Sequence, residues 1–170
     1  MMPYMIVLIP PQDIVRICIH EAQKMFLSMS DGYLLAEHSL PHITVCQFEC
    51  DREEVAQATW KEIASQTMDS FPVRLRGVSF IKGIEAHREF YWAELAVARD
   101  EELMKVHQLT VAVIQARGLG CLNAVGDLYR PHLTLARIRL PKFFQTWSDS
   151  LLNDSSSFKL DFMPCSKTTA

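Results

Sequence analysis

The sequence predicts a single domain that mixes helices and strands and repeats the same order of elements in its two halves. Its 170 residues fit one domain. The pattern of apolar residues gives the order β-α-β-α-β over residues 4–82 and again over residues 89–162. Each half also contains proline, histidine, an aliphatic residue, threonine and a second aliphatic residue in a row, at 41–45 (motif 1) and 131–135 (motif 2). We therefore expect residues 1–170 to form one domain of two similar lobes.

Each element follows from its periodicity and from the turn residues around it. Strands are expected where apolar or β-branched runs lie between turn signals, and helices where apolar residues recur every three or four positions. The first half predicts strands over 4–9, 42–48 and 72–82 and helices over 11–29 and 51–66. The second half predicts strands over 89–98, 132–140 and 158–162 and helices over 101–117 and 141–152. Asp31-Gly32 and Gly118 are expected to end helices.

Composition limits the partners and the compartment. The formal net charge is -3 and the isoelectric point is about 6.1, which argues against a broad surface for duplex DNA or long RNA. Five irregularly spaced cysteines, with no secretory leader, indicate reduced thiols in a cytoplasmic protein. No apolar run reaches the length of a membrane helix. We expect a cytoplasmic monomer that does not enter a membrane.

The two motifs place polar and apolar side chains on opposite faces. Successive side chains of a strand alternate between its faces, so histidine and threonine share one face and the two aliphatic residues share the other. If folding brings the motif strands together, a groove is lined by two imidazoles and two hydroxyls. Imidazole titrates near neutrality, so one ring can remove a proton while the other supplies one. Phosphoester cleavage has this demand, and the scheme requires no metal or other cofactor.

These residues resemble the paired His-x-Thr motifs of the two-histidine phosphoesterase superfamily, which includes 2'-5' RNA ligase-like proteins and cyclic nucleotide phosphodiesterases. The resemblance is carried by LPHITV at 40–45 and YRPHLTLAR at 129–137. It implies an α+β, bilobal, duplicated domain with two antiparallel sheets flanking a central cleft and helices on the outside. It also implies a catalytic tetrad of His42, Thr44, His132 and Thr134. Which histidine is the base depends on the direction of attack, which the sequence leaves open.

Four further residues are candidates for substrate binding, each with a structural alternative. Arg137 lies five positions after His132, so a regular strand turns it to the opposite face unless a bulge restores it, and a strand-end ion pair is the alternative. Arg130 is either a ligand or a solvated loop arginine. Tyr129 either stacks on a base or packs in its loop. Trp92 either forms the floor of a base pocket or belongs to the core.

Other titratable residues fit structural roles better. Cys46 has the strand parity of His42, and a zinc site of His42, Cys46 and Cys50 can be drawn. Structural zinc shows more tightly paired ligands, so no metal is predicted and buried thiols are the better interpretation. His107 lies on the apolar face of a predicted helix and is expected in the core or at its boundary.

The sequence thus predicts a metal-independent phosphodiesterase that hydrolyses a 2',3'-cyclic or related cyclic phosphate, or a 2'-5' RNA linkage. The expected partner is a nucleotide or a short RNA. Joining RNA ends is the reverse of cleavage, so the same tetrad could catalyse both directions. The alternative is a module that binds a nucleotide or an RNA end in the same cleft without turnover.

Overall fold

A computed structural model describes residues 1–139 and 155–165 of the chain. The described helices are α1 (Gln12–Phe26), α2 (Glu53–Gln66) and α3 (Glu101–Ala116). The described strands are β1 (Met2–Ile9), β2 (Ser30–Leu34), β3 (Ile43–Cys50), β4 (Ser70–Lys82), β5 (Tyr91–Val97), β6 (His132–Ile138) and β7 (Ser155–Pro164). Short 3-10 turns occupy Glu85–His87 and Gly126–Leu128.

The strands form one seven-stranded antiparallel sheet in the order β2-β6-β3-β1-β7-β4-β5. Strands β5 and β6 also pair with each other, so the sheet curls round and closes. The motif strands β3 and β6 meet where Ile43 lies opposite Leu133. The resemblance implies two sheets, but the hydrogen bonds join the described strands into one. Strands β4 and β7 are long and each pairs with two neighbours, which joins all seven strands into one sheet.

Strands and helices of each half pair or pack with elements of the other half. Strand β7, from the second half, pairs with β1, and β4, from the first half, pairs with β5. The helices show the same exchange, because α1 packs against β6 and α3 packs against β3. Each motif strand therefore lies against a helix of the other half, and the two halves share one hydrophobic core.

The aliphatic residues of both motifs lie in this core, as their parity predicts. Ile43, Val45, Leu133 and Leu135 are fully buried. The core also contains large side chains from helix and strand, among them Phe26, Phe48 and Phe158. Burying an aliphatic side chain of this size stabilises the fold by about 1.5–3 kcal/mol. The motif strands are thus anchored from their inner faces, which leaves their outer faces for chemistry.

Most of the predicted elements are confirmed. The three described helices and the strands around motifs 1 and 2 lie where their periodicity places them, with α1 ending at Phe26. Strand β2 is an additional element, since Asp31-Gly32 predicts only the end of a helix. Gly32 instead lies inside a short strand with a φ of 82°. The predicted helix over 141–152 lies outside the described residues. In the part of the chain that is described, no helix is long and apolar enough to span a membrane.

Candidate active site

The two motifs have the same pattern of exposure. His42, Thr44, His132 and Thr134 are partly exposed, whereas the prolines and aliphatic residues between them are buried. The strand pairing of Ile43 with Leu133 brings the two motifs side by side. The structure therefore places the four predicted tetrad residues on the outer faces of two adjacent strands.

Both motif strands contain a β-bulge at the same position. Against β1, the register places Thr44 opposite Val7 and Cys46 opposite Ile6, so Val45 is an extra residue. Against β5, the register places Thr134 opposite Glu94 and Ala136 opposite Ala93, which makes Leu135 the extra residue. A bulge reverses the facing of every residue beyond it.

The bulges correct two parity arguments made from the sequence. Cys46 does not share the face of His42 but is buried in the core. Arg137 lies on the same face as His132 and Thr134, opposite Trp92 on β5. Gln47 is the corresponding residue of motif 1, and it is also partly exposed. Each motif therefore presents a third polar side chain to the outer face, five residues after its histidine.

The backbone carbonyls at the bulges are satisfied by distant groups. The Val45 carbonyl accepts a hydrogen bond from His107 Nδ1 at 2.8 Å, and the Leu135 carbonyl accepts one from the Leu35 amide at 2.8 Å. Because a buried carbonyl without a hydrogen-bond partner costs free energy, these long-range hydrogen bonds stabilise the bulges.

His107 joins the two motifs. Its Nδ1 must donate because the Val45 carbonyl can only accept, and its Nε2 accepts the Gly126 amide at 3.1 Å. The ring stacks on Tyr129 at 3.8 Å between ring centroids. The Tyr129 hydroxyl in turn donates to the Thr44 carbonyl at 2.9 Å. This network links β3 to the loop that leads into motif 2.

Tyr129 is therefore not a base-stacking residue. It is 3% exposed, and its ring and hydroxyl are both engaged. Burial, the largest cause, raises the pKa of its hydroxyl. The packed loop aromatic is the correct interpretation of the two that the sequence allowed.

The two catalytic candidates His42 and His132 are held in the same way. His42 Nδ1 donates to the Leu40 carbonyl at 2.8 Å, and His132 Nδ1 donates to the Arg130 carbonyl at 2.9 Å. In both rings the hydrogen bond fixes the proton on Nδ1 and assigns proton exchange to Nε2. A neutral ring held in this way is a base at Nε2, and a charged ring is an acid at Nε2.

The surroundings of these two rings differ. Burial, the largest cause, and the neighbouring His132 lower the pKa of His42, and the bond to Leu40 opposes them. His132 Nε2 lies 3.4 Å from Oε1 of Glu94, a carboxylate that is 3% exposed. Glu94 has no recognisable sequence signal, because a lone glutamate in a strand usually faces solvent.

Arg130 is a half-exposed loop arginine whose guanidinium is paired with Glu94. Its Nη1 and Nη2 both donate to the Glu94 carboxylate, so this arginine neutralises the buried charge beside His132.

Arg137 and Trp92 lie at the far end of the same face, among aromatic rings. Arg137 donates from Nε to the Asp31 carbonyl at 2.6 Å and from Nη1 to His87 Nδ1 at 3.2 Å. Its Nη2 lies 3.8 Å from Asp31 Oδ1, so the ion pair that the sequence offered as the alternative is present. Trp92 makes edge-to-face contacts with His87 at 5.4 Å and Tyr33 at 6.3 Å. An arginine and an aromatic cluster therefore adjoin the tetrad residues of β6, and Tyr33 and His87 carried no recognisable sequence signal.

The cysteines show no ligand geometry. Cys46 Sγ lies 3.2 Å from Cys121 Sγ, and burial raises the pKa of the Cys46 thiol. Within residues 1–139 and 155–165, no three His, Cys, Asp or Glu side chains are grouped to hold a metal ion.

The fold is shared with several solved structures. A solved phosphoesterase matches 98% of this chain and 96% of its own with a TM-score of 0.64 and 13% identity. Escherichia coli LigT complexed with 3'-AMP matches 97% of this chain and 95% of its own at 0.66 and 13%. TT0787 of Thermus thermophilus matches 96% of this chain and 84% of its own at 0.58 and 16%. Scans of protein-family models and of curated proteins find no match. The α+β fold expected from the sequence resemblance is thereby confirmed, whereas its division into two lobes with two sheets is not.

Proposed function

We propose that this chain is a phosphodiesterase of the two-histidine phosphoesterase superfamily. The observation that supports the proposal is the pair of adjacent motif strands, in which both histidines are held at Nδ1 by a backbone carbonyl. A binding site has no need for two identically held imidazoles. General acid-base catalysis needs both, with their Nε2 atoms in opposite protonation states.

The proposed reaction is hydrolysis of a cyclic phosphodiester or of a 2'-5' linkage. One Nε2 takes a proton from the attacking water, and the other protonates the oxygen that leaves phosphorus. The hydroxyls of Thr44 and Thr134 donate to the non-bridging oxygens and hold the phosphoryl group in line. No step in this scheme uses a metal.

We propose a nucleotide or a short RNA end as the substrate. LigT has been crystallised with 3'-AMP, NADP+, ATP and phosphate, which supports nucleotide binding by this fold. In this chain, Arg137 offers donors to a phosphate, and Trp92 offers an aromatic edge or face to a base. The net charge of -3 favours small substrates over long RNA.

We also propose that the domain consists of two pseudo-symmetric lobes and acts as a monomer. The paired bulges and the exchanged strands β4 and β7 support the duplication. All four tetrad residues come from one chain, so a single copy is sufficient.

The test is turnover of 2',3'-cyclic nucleotides and 2'-5' oligonucleotides with a metal chelator present. We expect turnover by the wild type and by His20→Ala, a matched control on an exposed helical histidine. His42→Ala and His132→Ala should each lose about 10²–10⁴-fold in kcat. Full activity in either tetrad variant would refute the assignment. Tight nucleotide binding without any turnover would favour the binding module.

A further inference from the structure

The two halves of the candidate site differ at the positions opposite their threonines. Thr44 on β3 lies opposite Val7 on β1, and Thr134 on β6 lies opposite Glu94 on β5. Residues opposite each other on antiparallel strands point to the same face. The neighbour of motif 1 is therefore apolar, whereas the neighbour of motif 2 is a carboxylate, and both side chains are buried.

Glu94 contacts His132 at the atom that exchanges protons. Its Oε1 lies 3.4 Å from His132 Nε2, and the Nδ1 atom of that ring is already bound to the Arg130 carbonyl. Burial excludes water from the carboxylate, so its attraction to a positive ring is screened less than on the surface. A burial of this depth is costly for a charge unless it has partners, and Arg130 and His132 are those partners.

We propose that Glu94 is a positioning residue that keeps His132 protonated, which makes His132 the general acid and His42 the general base of hydrolysis. The inference rests on the proposed phosphodiesterase function and resolves the choice that the sequence left open. His42 has no carboxylate opposite its motif and is biased to the neutral form by burial.

The resulting step is balanced. His42 Nε2 removes a proton from water as the water oxygen forms its bond to phosphorus. The bond from phosphorus to the leaving oxygen breaks, and that oxygen takes the proton of His132 Nε2. His42 ends charged and His132 neutral, and proton exchange with solvent restores the starting state. When the proton leaves His132, Glu94 loses its contact with that proton, and Arg130 continues to neutralise the charge of Glu94.

The other charged groups near His132 do not reverse this bias. Arg130 reduces the negative potential of Glu94 without removing the contact. On β3, a neutral His42 adds no charge. On β2, Asp31 is occupied by Arg137 and Arg139. Glu94 is thus the carboxylate in contact with the ring.

The first experiment compares the wild type with Glu94→Gln and with Glu62→Gln. Glu62 also accepts two nitrogens of an arginine, Arg117, but does so on α2 and outside the site. In a pH profile of kcat, the alkaline limb reports the acid and the acidic limb reports the base. We expect Glu94→Gln to move the alkaline limb to lower pH and to leave the acidic limb in place. Glu62→Gln should move neither limb.

Imidazole NMR titration of the wild type and of Glu94→Gln provides a readout that does not depend on turnover. In the wild type, His132 should hold its second proton to higher pH than His42, and Glu94→Gln should remove this order. If His42 holds its proton to the higher pH, or if Glu94→Gln leaves the titration of His132 unchanged, the proposal is overturned. A wild type that turns over no phosphodiester refutes the proposed function, while the titration still decides the role of Glu94.

A substrate that needs no acid separates the two histidines. With a nucleoside 4-nitrophenyl phosphodiester the leaving nitrophenolate departs without a proton. We expect His132→Ala to regain at least about tenfold of its lost activity on this substrate relative to a cyclic nucleotide, and His42→Ala to regain none. The opposite result would reverse the assignment.

Discussion

Replacing His107 by phenylalanine tests whether its network holds the site together. Phenylalanine keeps a flat ring against Tyr129 but removes the donor to the Val45 carbonyl and the acceptor of the Gly126 amide. A buried backbone group left without its partner costs about 1–3 kcal/mol. The Gly126 amide is only partly buried, so the two losses should lower the free energy of unfolding by about 2–4 kcal/mol. For a chain of this size the melting temperature should fall by roughly 5–15 °C.

The pH dependence of the free energy of unfolding tests the buried His107 ring independently. Burial, the largest cause, and the charge of Arg99 lower the pKa of His107, while the bond to Val45 opposes them. The folded state thus favours the neutral ring, and the unfolded chain binds the additional proton more readily. This stabilisation is complete above the ordinary histidine value of 6.5 and is lost as the pH falls toward the lowered pKa. The His107→Phe variant should therefore lose stability less steeply in mild acid than the wild type. His42 contributes in the same direction and remains in both proteins.

The assay is urea unfolding followed by circular dichroism at neutral and mildly acidic pH. Tyr129→Phe serves as the control, because it removes only the donor to the Thr44 carbonyl and should cost about 1 kcal/mol. A His107→Phe protein within about 0.5 kcal/mol of the wild type, or with an unchanged acid slope, would refute the network as described.

Two further predictions concern the Arg137 end of the site. In Gly32→Ala the new Cβ would collide with Arg137 Nη2, so KM should rise several-fold, which corresponds to about 1 kcal/mol of binding free energy. Gly118→Ala is the control, because Gly118 also has a positive φ but lies in open space. This variant should lose stability and keep its KM. Steady-state kinetics and melting of both variants decide this, and an unchanged KM in Gly32→Ala would contradict it. Trp92→Leu should raise KM about tenfold for cyclic nucleotides, since stacking on a base is worth about 1–3 kcal/mol, and leave KM unchanged for a cyclic phosphodiester that carries no base.

The sequence was sufficient where local periodicity decides the structure. Alternation over five residues correctly assigned the outer and inner faces of both motifs. It failed at Cys46 and Arg137 because a bulge is stabilised by distant partners, the His107 ring and the Leu35 amide, which no local pattern reveals. Strand β2 was missed for the same reason, since its pairing with β6 joins residues far apart in the chain. The burial of Glu94 likewise depends on Arg130 and His132, which lie on a different segment.

Because the two motifs are equivalent, the residues that distinguish the acid from the base must be ones that differ between the two halves. Two copies of one motif produce equivalent histidines, whereas an acid and a base must differ in charge at the same pH. The motifs cannot supply this difference, because both rings are held by the same bond two residues upstream. It has to come from neighbouring residues: Glu94 lies where the first half has Val7, Arg137 where it has Gln47, and Arg130 where it has Leu40. These three charged residues lie beside motif 2. A substrate phosphate should therefore approach with its leaving oxygen toward His132 and with the rest of the nucleotide toward Arg137 and Trp92.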